Sequence, residues 1–559
     1  MKIAFIFARR LAAAGVTVLL LACAGGSATV SGAASPAATG ARPKLVVFLV
    51  VDGLPQRQIT NYRDQLSPDG FARFLDRGAW FTQAHYAHAF TVTAAGHAAM
   101  LTGAYPDRTG IIGNEWRDPV TGAPVYNTGD LSAKYIGHET KPLDGTSPRN
   151  LKVETVGDVL RRADPRSKVI SVSGKDRGAI LPAGKSGTAY MYMSSTGQFA
   201  SSTYYMQEHP GWVNEFNSRK LANRYFKTQW TPLLPLAAYE RSVPDDQPWF
   251  GPQGGRLPMT MGAAADAAPG PSFYGALLRS PFADALTLEF ARAALAGEQL
   301  GRDESTDILA VSLSGHDYVN HAYSAESRLS HDHFLQLDRL LQSFFHDLDA
   351  AVGAGNYVAV LTADHGFMPA PELAAAIGQP SGRLNAAPAL ARLNADLEKQ
   401  FGQGKWLLGM SAASLLLNKP LIAQKNLDAN TVAEEARMLW LAVPGIGTAY
   451  TRAELLSGSR AGEPFFEASR KSWHPDVAGD VQFTLKPNWM FTSSSITTHG
   501  SPHEYDNHVP LLFWGPAWVG PGRVDAAVEI VDVAPTLARM LRVPPPPASE
   551  GKPLPLPAP

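Results

Sequence analysis

Short uninterrupted apolar runs alternate with segments of helical periodicity along most of the chain. The apolar runs cover residues 45–51, 169–172, 308–313, 357–361 and 510–514. Runs of this length are typical of strands that are buried on both faces. Helical periodicity is clearest in residues 326–352 and 531–543. This alternation predicts an α/β fold in which layers of helices pack on a mainly parallel sheet.

The two ends of the chain depart from this pattern. Residues 1–22 begin with basic side chains and continue with an apolar run too short to span a bilayer stably, which predicts a secretory signal peptide. Residues 23–42 are small and polar, and they predict a flexible tether. The Pro-rich residues 544–559 cannot sustain a helix or sheet, so we expect them to lie extended over the surface.

Between these ends we expect one catalytic domain, residues 43–543. Two stretches fit the strand–helix alternation less well. Residues 183–305 are rich in Tyr, Trp, Pro and Gly, and residues 367–496 are of mixed character. We expect parts of both stretches to be inserted cap segments that cover or shape a cleft. No apolar run of membrane-spanning length occurs in the domain.

Cys23 is the only cysteine in the sequence, which excludes an internal disulfide framework. Two interpretations of it stay open. In the first, residues 20–23 form a lipoprotein cleavage box, and Cys23 becomes a lipid anchor at the membrane. In the second, cleavage near Ala34 removes Cys23, and the protein is periplasmic or secreted.

Composition and charge limit the partners. The chain has 559 residues, of which 45% are hydrophobic, so it can bury a large core. Its formal net charge is -1. Without a global basic field we expect no nucleic-acid partner. We expect a monomer that acts on small molecules.

Six potential metal ligands follow or end strand-like runs in four short segments of the chain. They are Asp52, Asp317, His321, Asp364, His365 and His499. Carboxylates and imidazoles bind zinc, and six of them can hold two ions with three ligands each. Three protein ligands leave coordination positions open for water or substrate. Since ligand sites of such sheets lie at the carboxyl ends of the strands, the sequence predicts a two-metal hydrolase.

A candidate nucleophile lies in the segment FTVTAAGHAAML. A threonine hydroxyl is a poor nucleophile unless a metal or base activates it. The small residues 94–96 are expected to let the chain turn into a helix that begins near His97, and the N-terminus of that helix would favour phosphate. Thr93 is the preferred nucleophile, and Thr91 is the alternative within the same turn.

An ordered set of motifs makes the sequence similar to a known family. The motifs are VVDGLP, TVTAAGHAAMLTGAYPDRTGIIGN, GKDRGAI, SGHDYVNH, TADHG and THGSP followed by YDNHVPLLFWGP. They resemble the alkaline phosphatase superfamily, and within it the phosphate-irrepressible (PafA-like) alkaline phosphatases, which are related to the type I phosphodiesterase/nucleotide pyrophosphatase group. The resemblance runs from about residue 44 almost to the end of the chain. It implies a three-layer αβα sandwich.

The resemblance also implies the roles of individual residues. One zinc ion would be held by Asp317, His321 and His499, and a second by Asp52, Asp364 and His365. Thr93 would become phosphorylated. The phosphoryl oxygens would be contacted by Asn114, Lys175 and Arg177. His499 matches its motif better than the nearby His503 and His508 do. Structural or supporting roles are expected for His316, Tyr318, Asn320, His85 and His88.

The leading hypothesis is therefore an exported two-zinc alkaline phosphatase that hydrolyses phosphate monoesters and scavenges phosphate. Lys175 and Arg177 lie two residues apart; on an extended segment they would point to one side and clamp a dianionic phosphate. A phosphodiesterase or nucleotide pyrophosphatase with the same metals is the alternative, which these two cations disfavour. A third hypothesis, a non-catalytic surface lipoprotein on this fold, is disfavoured by the intact ligand set.

Overall fold

The computed structural model of the protein describes residues 41–250 and 254–559. The strands are β1 (Leu45–Val51), β2 (Ala79–His85), β3 (Glu115–Arg117), β4 (Pro124–Tyr126), β5 (Val169–Ser173), β6 (Thr188–Met193), β7 (Gln198–Ala200), β8 (Gln229–Trp230), β9 (Met259–Thr260), β10 (Asp307–Leu313), β11 (Tyr357–Thr362), β12 (Gly382–Leu384), β13 (Leu407–Ser411), β14 (Ser414–Leu417), β15 (Ile446–Thr451), β16 (Val481–Leu485), β17 (Trp489–Phe491), β18 (Leu511–Trp514) and β19 (Gly522–Glu529).

The α-helices are α1 (Gln56–Asn61), α2 (Phe71–Arg77), α3 (Thr93–Thr102), α4 (Pro106–Thr109), α5 (Val156–Ala163), α6 (Asp176–Ala183), α7 (Gly211–Ser218), α8 (Pro271–Leu277), α9 (Pro281–Gly297), α10 (Gly315–Tyr323), α11 (Arg328–Ala351), α12 (Pro371–Ala376), α13 (Ala386–Phe401), α14 (Lys419–Gln424), α15 (Ala429–Leu441), α16 (Arg452–Ser457), α17 (Phe466–Ser472), α18 (Glu504–Asn507) and α19 (Val533–Leu541). The predicted signal peptide, all but the last two residues of the tether, and Cys23 lie outside the described residues.

A nine-stranded sheet forms the centre of the fold. Its strand order is β19-β2-β18-β11-β1-β10-β5-β6-β7. β1 pairs in parallel with both β10 and β11, and β5 and β6 continue the parallel arrangement. Only β18 and β7 run against the other strands. The sheet is therefore mainly parallel, as the sequence predicted.

The central strands form because their side chains are apolar on both faces. All seven residues of β1, LVVFLVV, are buried, and the same holds for the seven of β10 and the six of β11. Such strands need helices on both faces to exclude water. Helix α6 packs on β5, β6 and β10 and also contacts α3. Helix α9 packs on β5 and β10 and also contacts α7, α10 and α11. The result is the predicted three-layer αβα architecture.

The segment 367–496 carries a second, smaller sheet of its own. Its antiparallel strand order is β13-β14-β16-β15. A separate apolar core lies between this sheet and helices α13 and α15, and its largest side chains are Trp406, Trp440 and Phe483. The stretch 183–305 is different, because β6 and β7 within it belong to the central sheet.

The Pro-rich C-terminal residues contain no helix or strand after α19. They are nevertheless held in place by hydrogen bonds: the Leu554 amide donates to Thr536 Oγ1 (2.8 Å), and the Gly520 amide donates to the Pro557 carbonyl (3.0 Å). Leu554 is buried, so the tail covers part of the core. Among residues 41–250 and 254–559, none of the helices combines the length and apolarity that crossing a membrane requires.

Candidate metal centre

Three buried carboxylates meet at the carboxyl ends of the three central strands. Asp52 follows β1, Asp364 follows β11 by two residues, and Asp317 lies in the first turn of α10, which follows β10. The parallel register pairs Val51 with Leu313, so these strands end at the same level of the sheet. All three carboxylates are buried. Sequence-distant segments thus converge on one rim, as predicted.

Asp52, Asp364 and His365 form one potential ligand group. His365 Nε2 lies 3.5 Å from Asp52 Oδ1 and 3.4 Å from Asp364 Oδ2. The other Asp364 oxygen, Oδ1, accepts hydrogen bonds from the Gly53 amide (3.0 Å) and the His365 amide (3.1 Å). These two bonds orient the carboxylate so that Oδ2 faces the imidazole.

Asp317, His321 and His499 are the second predicted group, and the Asp317 carboxylate lies beside both imidazoles. Asp317 Oδ1 lies 3.4 Å from His321 Nε2 and 3.6 Å from His499 Nε2. Asp317 and His321 are four residues apart on α10, and this spacing puts both on one face of the helix. The two groups are adjacent, because the rings of His365 and His499 stack with centroids 3.4 Å apart. His365 Nε2 is also close enough to Asp317 to complete a ligand set with His499.

The unpaired atoms of these residues fit metal ions. Each of the three imidazoles uses Nδ1 to contact a backbone carbonyl: His321 with Thr497 (2.9 Å), His365 with Gly366 (2.9 Å) and His499 with Thr91 (2.9 Å). This pairing favours the tautomer that leaves Nε2 free as a ligand. Asp52 Oδ1 and Asp317 Oδ1 are buried without a hydrogen-bond partner, and Asp364 Oδ2 faces only the imidazoles of His97 and His365. Such atoms are costly to bury unless a cation binds them.

The electrostatics of the cluster also call for cations. Burial raises the pKa of Asp52, and the neighbouring Asp364 raises it further. Burial acts in the same direction on Asp317, but Lys175 and the imidazoles outweigh it and hold that pKa well below its ordinary value. Burial lowers the pKa of His365 and His499, so both rings are neutral and able to coordinate at neutral pH. Lys175 alone leaves two of three negative charges uncompensated.

Thr93 is the first residue of α3 and lies beside the cluster. The predicted start of this helix near His97 is wrong, since α3 begins at Thr93. The small residues 94–96 belong to this helix, and Gly96 has no room for a larger residue, since a Cβ there would lie 2.1 Å from the Asp364 carbonyl oxygen. Thr93 Oγ1 lies 3.4 Å from His365 Nε2. The alternative, Thr91, donates its hydroxyl to the Ser501 carbonyl (2.8 Å) instead.

Lys175 lies at the junction of the two ligand groups. Its Nζ is 2.7 Å from Asp52 Oδ2 and 2.6 Å from Asp317 Oδ2. Arg177 does not share an extended segment with Lys175, because Lys175 caps α6 and Arg177 lies in its first turn. The prediction that the two side chains point to one side because they share an extended segment is therefore wrong. Both nevertheless line one polar cavity of about 330 Å³.

Asn114 is fixed next to the nucleophile candidate. Its side-chain Oδ1 accepts a hydrogen bond from the Ala94 amide (2.9 Å), one residue after Thr93. Its backbone carbonyl accepts from both the amide and the side chain of Asn127. The bond to Ala94 turns the Asn114 amide group towards the start of α3, where its NH₂ remains available as a donor.

Sequence reasoning missed two supporting residues. His97 Nδ1 lies 2.8 Å from the Thr93 carbonyl and 3.2 Å from Asp364 Oδ2, so it links the nucleophile helix to a ligand. The four-residue spacing from Thr93 was a usable signal. Tyr126 donates its hydroxyl to Asp176 (2.6 Å) and accepts from Arg177 (3.2 Å). It lies about 50 residues away in sequence, and no local pattern points to it.

The other histidines considered from sequence lie in different surroundings. His503 contacts the Leu485 carbonyl (2.9 Å). His508 and His85 stack on each other beside Glu504, in a separate, partly exposed group. His316 contacts His333 and Gln58. Supporting contacts do occur: the Lys175 ammonium lies over the Tyr318 ring at 4.9 Å, and Asn320 donates to the Gly53 carbonyl (3.0 Å).

Comparison with known proteins agrees with this geometry. The family of type I phosphodiesterases/nucleotide pyrophosphatases matches residues 46–508. The chain is 34% identical to alkaline phosphatase PafA of Elizabethkingia meningoseptica, over 92% of this chain and 94% of the relative. It is 35% identical to alkaline phosphatase PhoV of Synechococcus elongatus, with 92% of each chain covered.

A solved structure supports the same relationship. The crystal structure of wild-type alkaline phosphatase PafA superimposes with a TM-score of 0.85 and 32% identity, covering 92% of this chain and 99% of that chain. The resemblance and the fold predicted from the sequence motifs are thereby confirmed. The chain belongs to the type I phosphodiesterase/nucleotide pyrophosphatase family, in the branch that contains the PafA-like alkaline phosphatases.

Proposed function

We propose that the protein is a two-zinc alkaline phosphatase that hydrolyses phosphate monoesters through a phosphorylated Thr93. The observation that carries this proposal is the meeting of six ligand side chains around unpaired carboxylate oxygens, with the Thr93 hydroxyl beside them. Asp317, His321 and His499 would hold one ion, and Asp52, Asp364 and His365 the other. Imidazole and carboxylate donors in equal number suit zinc.

Bound zinc would supply Lewis acidity and positive charge at both the attacking and the leaving oxygen. Thr93 loses its hydroxyl proton to solvent and its Oγ1 forms a bond to phosphorus; the bond from phosphorus to the ester oxygen on the opposite side breaks, and that oxygen takes up a proton from solvent and leaves as the alcohol. Its position at the N-terminus of the ten-residue helix α3 favours the phosphoryl group electrostatically. Water then hydrolyses the phosphothreonine and releases phosphate.

Asn114, Lys175 and Arg177 hold the non-bridging oxygens in this proposal. Most of the charge in a loose phosphoryl-transfer transition state resides on these oxygens. Lys175 Nζ lies between carboxylates of the two ligand groups, so a phosphate that bridges the groups meets the ammonium. Burial would lower the pKa of Lys175, but Asp317 and Asp52 raise it above its ordinary value, and the side chain stays charged at alkaline pH.

The family match also favours a second candidate, a phosphodiesterase or nucleotide pyrophosphatase with the same metals. A diester carries one charge fewer on phosphorus and needs room for a second substituent. Two buried cations near the junction reward the dianionic monoester more. The monoesterase is therefore the preferred function.

The test is steady-state turnover of a monoester and a diester by the purified protein, with metal content measured in parallel. We expect two equivalents of zinc, a strong preference for the monoester, loss of turnover on chelation and recovery when zinc is added back. Acid quenching followed by peptide mass spectrometry should place phosphate on Thr93. A preparation that binds no metal, or that prefers the diester, would contradict the proposal.

The cellular location of the protein is inferred from its N-terminal sequence and not from the chemistry of the site. The signal peptide over residues 1–22 and the lipid anchor at Cys23 stay predictions from the sequence. Export would give a scavenging phosphatase access to external esters.

A further inference from the structure

An apolar cleft opens next to the metal centre. It has a volume of about 290 Å³, and its wall includes four large apolar side chains that are only half-buried: Phe90, Met410, Trp489 and Phe491. Three of them belong to β13 and β17 of the 367–496 segment. Leaving such side chains partly in water is unfavourable, and a concentration of them in one concave surface marks a site for an apolar ligand.

The cleft is continuous with the metal centre. His499, a ligand of the second group, and Gly500 line it directly. A Cβ at Gly500 would lie 3.2 Å from Phe90 Cε2, and a Cβ at Gly113, next to Asn114, would lie 3.3 Å from Phe90 Cε1. Phe90 therefore sits between a metal ligand and a phosphate-contacting residue. A molecule in the cleft touches the place where the phosphoryl group is held.

The cleft borders the second ligand group rather than the first. Thr93 is adjacent to His365 in the first ligand group, whereas the cleft reaches His499 in the second group. In an in-line displacement the attacking and leaving oxygens are on opposite sides of phosphorus. A leaving oxygen directed towards the second group would carry its substituent into the cleft.

We propose that this cleft binds the apolar portion of the leaving group, so that the enzyme selects monoesters of alkyl or aryl alcohols over small polar ones. The inference rests on the proposed function and deepens it. The lining contributes few charges: the Asp506 carboxylate at its polar end is buried and accepts bonds from the amide and hydroxyl of Ser501. Binding energy from the substituent then adds to that of the phosphate clamp.

A series of alkyl monoesters tests the proposal. Methyl, butyl and hexyl phosphate have leaving oxygens of similar basicity and differ in apolar area. We expect partial burial of each methylene to raise kcat/KM about twofold. The five additional methylenes of hexyl phosphate should therefore make its kcat/KM about 30-fold higher than that of methyl phosphate. Methylphosphonate and hexylphosphonate, which lack the scissile ester bond, should show the same order of Kd in calorimetry.

Substitutions in the cleft lining test whether the preference for longer alkyl chains arises there. Trp489→Ala should reduce the ratio of kcat/KM for hexyl phosphate to that for methyl phosphate by about tenfold. Met410→Ala should reduce this ratio by a smaller factor, and it provides the test if the Trp489→Ala variant does not fold. Met438→Ala is the matched control, because Met438 belongs to the same segment but is exposed on α15, away from the cleft lining; its ratio should equal that of the wild type.

The outcomes separate this inference from the function on which it rests. Turnover of all three esters at equal kcat/KM, with equal phosphonate affinities, would overturn the cleft assignment and leave the phosphatase intact. Failure to hydrolyse any monoester in the zinc-loaded protein would overturn both. A length preference that persists unchanged in Trp489→Ala and Met410→Ala would also overturn the assignment.

Discussion

The proposed active site has a cationic wall and an apolar wall, and they come from different parts of the molecule. The cationic wall consists of Lys175 and Arg177, at the junction of β5 and α6 in the central sheet. The apolar wall comes largely from β13 and β17, in the segment with its own core. In the proposed mechanism, phosphate recognition therefore comes from the central sheet, whereas recognition of the substituent comes largely from the 367–496 segment.

This division has a physical basis. A buried cation needs nearby carboxylates, and Lys175 finds them only where strands β1 and β10 end. An apolar wall needs no such partners and can be built on any well-packed support. Changes in the cationic wall should therefore alter the monoester-to-diester preference, changes in the apolar wall the chain-length preference, and the two effects should add nearly independently.

The largest effect is expected from Thr93→Ala, which leaves both walls in place. Loss of the nucleophile should lower kcat by on the order of 10⁶-fold, the size of loss that follows removal of the nucleophile in an enzyme with a covalent intermediate. Hexylphosphonate should still bind with wild-type affinity. Thr91→Ala is the comparison, since its hydroxyl contacts Ser501 instead. A Thr91 variant that loses as much activity as the Thr93 variant would reverse the assignment.

Removal of the cationic wall should come next in size. Lys175→Ala combined with Arg177→Ala should lower monoester kcat/KM by on the order of 10³-fold, because donors to the transition-state oxygens are lost. Diester turnover should fall far less, since a diester carries less charge. The hexyl-to-methyl ratio should not change. Lys185→Ala, a distant exposed lysine, is the control. Equal losses for monoester and diester would favour the diesterase.

A weaker change to the same wall sharpens the comparison. Tyr126→Phe removes a hydroxyl that bonds both Asp176 and Arg177. Loss of one such bond is worth about 1 kcal/mol, or about fivefold in monoester kcat/KM. We expect the loss for all chain lengths alike. An effect confined to the longer alkyl esters would show that Tyr126 serves the other wall.

The smallest effect concerns stability at the polar end of the apolar wall. Burial raises the pKa of Asp506 to about 8. The folded state then binds more protons than the unfolded state between about pH 4 and pH 8, so this group's contribution to the free energy of unfolding falls as pH rises through that range.

Asp506→Asn removes this titration and keeps an oxygen acceptor for Ser501. The Tm of the variant should therefore rise relative to the wild type between pH 5 and pH 8. Thermal unfolding in a series of buffers measures the difference. Asp476→Asn, at an exposed carboxylate, provides the control. A Tm difference that does not depend on pH would show that Asp506 is ionised in the folded protein.

Much of the fold followed from local pattern. The run at residues 45–51 coincides with β1, and the helical periodicity over 326–352 contains α11. A strand buried on both faces must be apolar throughout, so its sequence is distinctive. Strands with other surroundings gave no such signal: β6 and β7 extend the sheet from a stretch that resembled an insertion, and β2 contains polar residues.

The sequence by itself determined which carboxylates and imidazoles are candidate metal ligands, because such ligands must be of these types and here they follow recognisable strands. Only the tertiary structure decided how those residues are supported. Gly96 packs closely on Asp364, and ion pairs with the sequence-distant Asp52 and Asp317 place Lys175 between the ligand groups. The apolar cleft was likewise invisible in the sequence, since its side chains resemble ordinary core residues until the packing leaves them half in water.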